Sequence, residues 1–62
     1  MISLAGQIER ITGLRDSDLG QWEIGFRDAM LEKYEESGKK TYWVTERQAA
    51  IIERLYLKHF AD

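Results

Sequence analysis

The chain contains no cysteine, and for a polypeptide of 62 residues that absence is the strongest constraint on its fold. Small domains without disulfides or thiolate-bound metal must be held by packing alone. A chain of this size buries only about 60% of the surface its unfolded form exposes. It therefore makes one domain with one small core, spanning residues 1–62. Proline is absent as well.

Three helical segments follow from period and capping. Ser3 is placed to cap a helix over residues 4–12, in which Leu4, Ile8 and Ile11 fall on one face. Gly13 stands where a left-handed stop is wanted, with Leu14 free to fold back on Ile8. A second helix is expected over residues 18–37, capped within Asp16-Ser17-Asp18, with Leu19, Trp22, Phe26, Ala29, Met30 and Tyr34 on its buried stripe. Glu23 and Arg27 are spaced to pair along it, Gly20 and Gly25 lie within it, and Gly38 ends it.

Residues 39–44 read as a loop or short extended piece because Thr41-Tyr42-Trp43-Val44 is β-branched and aromatic. Thr45-Glu46-Arg47-Gln48 is a capping box, and it opens a third helix over residues 45–60 with Gln48, Ile51, Ile52, Leu55, Tyr56 and His59 inward. The predicted fold is all-α: the two longer helices form an antiparallel hairpin and the short N-terminal helix packs across it.

Charge and composition narrow the function. The formal net charge is −2, divided as −4 over residues 1–38 and +2 over residues 39–62. Bulk charge does not favour nucleic acid, although the C-terminal part could do so locally. The mean hydropathy of −0.49 and the lack of a long apolar run exclude a membrane span. The first residues lack the basic start and apolar stretch of a signal peptide, so a cytoplasmic protein is expected.

Chemistry-bearing residues are sparse. His59 is the sole histidine and its helical neighbours are mainly apolar, which suits a packing residue better than a base or ligand. The five glycines are scattered and build no phosphate-cradling loop. A non-enzyme is expected, with no catalytic residue, no metal and no cofactor.

Two surfaces are candidates for binding. Ile24 and Leu31 point away from the main stripe, where either the first helix covers them or they form a partner surface; with Leu57 and Phe60 they suggest more apolar surface than three short helices hide. They suit a protein partner or a homodimer. Lys39, Lys40, Tyr42, Trp43, Arg47, Arg54 and Lys58 combine cations with rings, the pairing that binds single-stranded nucleic acid. Against this, Glu46 and Glu53 lie on an adjoining stripe, and Trp43 could plug the core.

Trp22-Glu23 followed by Phe26 and Met30, a short loop, Thr45-Glu46-Arg47-Gln48 and then Ile52-Glu53-Arg54-Leu55-Tyr56 resembles a helical hairpin of small phage-encoded proteins. The likeness covers residues 18–60. It implies a phage or prophage origin and a role near replication or recombination, while its matching positions are those of core and caps and carry no functional residue across. Joined to the apolar surplus, it gives the leading expectation. This is a small non-catalytic accessory protein that binds a protein of host or phage DNA or RNA metabolism, as inhibitor or adaptor. Weak single-stranded nucleic-acid binding and a purely structural homodimer are the alternatives.

Overall fold

The computed structural model describes residues 2–60, and its elements are three α-helices and one short 3-10 turn. Helix α1 spans Leu4–Thr12, α2 spans Gln21–Glu36 and α3 spans Glu46–Phe60. No strand occurs among the described residues.

Helix α1 begins as its sequence dictates, with the Ser3 Oγ accepting from the Gly6 N–H at 3.1 Å. Its buried line is Gln7, Ile8 and Ile11. The end differs from the expected left-handed stop. Gly13 is right-handed, at φ −86° and ψ −5°, and the chain leaves through tight turns from Gly13 N–H to the Arg10 carbonyl and from Leu14 N–H to the Ile11 carbonyl. Arg27 supplies the physical reason: its guanidinium donates to the Leu14 carbonyl at 2.8 Å and so fixes the path of the chain after α1.

The start of α2 also differs. Asp16–Asp18 forms a separate 3-10 turn, Leu19 and Gly20 are extended, and the helix begins only at Gln21. Asp16 does not cap a helix because its carboxylate is held 2.5 Å from the Arg27 guanidinium. Gly20, expected inside the helix, is its N-cap. Glycine has no side chain to contribute, and the Glu23 carboxylate instead accepts from the Gly20 N–H at 2.8 Å.

At its other end α2 stops as predicted. Gly38 adopts φ +75°, the Gly38 N–H reaches the Glu35 carbonyl at 3.2 Å, and the Lys39 N–H reaches the Tyr34 carbonyl at 2.7 Å. This is a Schellman motif, and it carries Lys39 into the left-handed region too, at φ +65°.

The following loop turns instead of extending, with the Val44 N–H bonded to the Thr41 carbonyl at 3.0 Å. Trp43 is half-buried against the core. Its indole N–H donates to the Lys40 carbonyl at 2.7 Å, with the Ser37 Oγ 3.0 Å away as a second acceptor. The capping box then forms as read: Gln48 N–H to Thr45 Oγ1 at 3.1 Å, and Thr45 N–H to Gln48 Oε1 at 3.0 Å.

The N-terminal helix is the centre of the assembly, since α1 makes close backbone approaches to both α2 and α3. The core is Ile8, Ile11, Met30, Tyr34, Ile52 and Leu55, with Leu4, Phe26, Trp43, Ile51 and Tyr56 among the side chains around it. Helices α2 and α3 run antiparallel, and the first turn of one is tied to the last turn of the other by Lys58 Nζ on Glu23 Oε2 at 3.0 Å. The radius of gyration is 10.7 Å, against about 11 Å for a well-folded chain of this length.

Two residues of the expected α2 stripe are exposed. Trp22 is 62% exposed, and Ala29 is exposed. The buried line is Arg27, Met30 and Tyr34, at i, i+3 and i+7. Twelve residues separate Trp22 from Tyr34, which at about 100° per residue places them about 120° apart around the helix. Arg27 takes a core position and spends its charge on Asp16 and Asp28, so the predicted Glu23–Arg27 pair is replaced by Glu23–Lys58.

Candidate functional site

The most exposed large apolar side chains are Tyr42 at 81%, Trp22 at 62%, Leu57 at 51% and Phe60 at 40%. Their significance depends on what surrounds each one. Isolated exposed apolar groups are ordinary on small proteins.

Trp22 stands in the first turn of α2, stacked on Phe26 with ring centroids 5.7 Å apart and planes 7° from parallel. Phe26 is itself packed against the core, so the stack gives Trp22 a firm base while leaving it open to solvent. Across from it, Arg47, Ala50, Ile51 and Arg54 of α3 complete a groove of about 320 Å³. Neither arginine makes an ion pair among the described residues. No carboxylate lines the groove.

Lys58 projects from the same side of α3 but its ammonium is engaged by Glu23. The Glu23 carboxyl is held below its ordinary range, first by the Gly20 N–H and then by Lys58. The fork therefore fixes the α2 start against α3, and with it the position of Trp22 one residue earlier. A positioned indole, two uncommitted guanidinium groups and an aliphatic floor are the side chains that dominate binding energy at protein interfaces.

The structure disperses the remaining basic and aromatic candidates. Lys39 borders a groove lined by Glu9, Thr12, Leu31, Tyr34 and Glu35. Tyr42 and Trp43 border a hollow with Lys33, Glu36 and Ser37. Lys40 is exposed, and its carbonyl serves Trp43. Among the cations of that set, Arg47 and Arg54 alone meet at one groove, and they do so around Trp22, a residue of the expected α2 stripe.

The apolar candidates are likewise divided. Ile24 and Leu31 are half-buried on α2, whereas Leu57 and Phe60 are exposed on α3. Phe60 stacks on Tyr56 at 5.6 Å. Leu57 lies seven residues beyond Ala50 and so continues the α3 edge of the Trp22 groove.

Sequence reasoning missed Trp22 and Arg27. The signals were present: Gly20 followed three residues later by Glu23 marks the true helix start, and Arg27 shares the spacing of Met30 and Tyr34. His59 is half-buried, and its Nε2 is buried with no hydrogen-bond partner. No group of three or more His, Cys, Asp or Glu side chains suited to a metal ion occurs among the described residues. No described helix is long and apolar enough to cross a membrane. No family model, curated protein or solved structure matches this chain.

Proposed function

We propose that this protein acts as a small non-catalytic accessory that binds a protein partner through the face made by Trp22, Arg47, Ala50, Arg54 and Leu57. The observation that carries the reading is an indole 62% exposed, seated on a second ring and flanked by two arginines that make no ion pair among the described residues. Leaving such a ring in water forgoes the burial of the 150–250 Å² or so that an aromatic side chain can contribute. A partner that covers it gains that area together with charge-assisted hydrogen bonds from two guanidinium forks.

The likeness of residues 18–60 to small phage-encoded hairpin proteins supplies the partner class. On that reading the partner belongs to host or phage DNA or RNA metabolism in the bacterial cytoplasm, and this chain inhibits or adapts it. Dispersal of Lys39, Lys40 and Tyr42 away from Arg47 and Arg54 favours protein over nucleic acid, because a single strand needs a continuous basic track.

The test is affinity capture from bacterial lysate with the wild type, Trp22→Ala and Arg54→Glu, each confirmed as folded by circular dichroism. Proteins held by the wild type and lost by both variants support the reading. Equal retention by all three, or no retention at micromolar bait, overturns it. Oligonucleotide binding that quenches tryptophan fluorescence, weakens with salt and disappears in Trp22→Ala would replace it with the nucleic-acid alternative.

A further inference from the structure

Two exposed edges of this molecule carry the same spacing with opposite charge. On α3, Arg47 and Arg54 are seven residues apart and alternate with Ala50 and Leu57, also seven apart. On α2, Asp28 and Glu35 are seven apart and alternate with Ile24 and Leu31. Each set follows steps of three and four residues, so each forms one stripe along its helix. At 1.5 Å per residue, the charges in both stripes are separated by about 10.5 Å along the axis.

The burial pattern leaves both stripes available. Arg47, Ala50, Arg54 and Leu57 are exposed, as are Asp28 and Glu35, and Ile24 and Leu31 are half-buried between them. Asp28 holds Arg27 through one oxygen, at 2.9 and 3.0 Å, and its side chain is still 60% exposed. Glu35 makes no ion pair among the described residues. It lines the groove beside Leu31, where Glu9 adds a second carboxylate and Lys39 one cation.

We infer that the α2 stripe of one molecule docks on the α3 stripe of a second copy, giving head-to-tail self-association. The two helices lie antiparallel: Arg54 meets Asp28 and Arg47 meets Glu35, while Leu57 meets Ile24 and Ala50 meets Leu31. Matching seven-residue periods let both ion pairs and both apolar contacts form in one register, as in a short coiled-coil seam. The joined surfaces are different, so a docked pair leaves one stripe of each kind unfilled and the assembly grows beyond a dimer or closes as a ring. With two repeats per stripe the contact is weak and salt-sensitive. It involves the same α3 edge as the proposed partner site but does not depend on that reading, because it is measured on the purified chain alone.

The experiment is sedimentation from micromolar to millimolar protein at low and high salt. The wild type should show a mean mass that rises with concentration and falls with added salt. Arg47→Glu/Arg54→Glu has two acidic stripes and Asp28→Lys/Glu35→Lys has two basic ones, so each should remain monomeric alone. Mixed in equal amounts, the two variants should associate again. Glu35→Lys with Asp28 intact provides a milder basic variant that leaves the Arg27 contacts in place. A wild type that stays monomeric at millimolar concentration and low salt overturns the inference. So does a pair of folded variants that fail to associate on mixing, or that associate alone as the wild type does.

Discussion

Replacing Ile8 with alanine tests whether α1 is the centre of this fold. Ile8 is 0% exposed and sits on the helix that approaches both α2 and α3. Truncating a buried isoleucine to alanine costs about 2–5 kcal/mol, since the cavity left behind closes only in part. Typical domain stabilities of about 0.05–0.15 kcal/mol per residue give this chain roughly 3–9 kcal/mol in total. Ile8→Ala should therefore remove at least about a fifth of the stability, and enough for substantial unfolding at room temperature if the total lies at the low end. Ile8→Val should cost about 1 kcal/mol, a fall in Tm of about 4–8 °C for a domain of this size. Thermal and urea melts followed by far-UV circular dichroism and by tryptophan fluorescence are the assay, and the two probes should coincide because all three helices share one core. Leu57→Ala is the control, expected to change stability by no more than about 0.5 kcal/mol. An Ile8→Ala melt at the wild-type midpoint, or a Leu57→Ala loss as large, would refute the reasoning.

Three further perturbations follow from particular contacts. Lys39→Gly relieves a side chain held at φ +65°, and the urea midpoint should rise by the equivalent of about 0.5 kcal/mol after allowance for the freer unfolded chain. Thr45→Ala removes the hydroxyl that accepts from the Gln48 N–H and should lower stability by about 1 kcal/mol in the same measurement. Glu23→Gln addresses pH. The folded carboxyl titrates below its ordinary value of 4.5, so its contribution is fully present above that value and is lost as pH falls through the lower, folded one. The Tm difference between wild type and Glu23→Gln should accordingly be present near pH 7 and should shrink progressively as pH falls below 4.5.

The parts of the fold legible in the sequence are those governed by neighbours along the chain. Ser3 and the Thr45–Gln48 box place the starts of α1 and α3, and Gly38 places the end of α2, because each signal acts within one turn. The start of α2 was not legible in the same way. Three consecutive capping residues precede it, yet Asp16 is drawn off by Arg27, eleven positions later, and Gly20 takes the cap. Arg27 shares the local spacing of Met30 and Tyr34, but its pairing with Asp16 and the Lys58–Glu23 fork depend on how the helices meet, which no local pattern reports.

The candidate site was visible only in fragments. Arg47 and Arg54 were grouped correctly on one side of α3, since a seven-residue spacing keeps one face. Trp22 falls on a different side of α2 from the buried line because a stripe drawn from Trp22 to Tyr34 drifts by about a third of a turn. The sequence leaves Trp43 as either a plug or a contact; the structure packs its half-buried ring on the core and uses its N–H to hold the loop through the Lys40 carbonyl.

The central claim is that Trp22 is the anchor of a protein interface. Once a captured partner is purified, its dissociation constants for the wild type and for Trp22→Ala decide the matter. An anchor of this kind is worth about 2 kcal/mol or more, so the account predicts affinity lower by about thirtyfold with the helical content unchanged. An affinity equal to that of the wild type would contradict it.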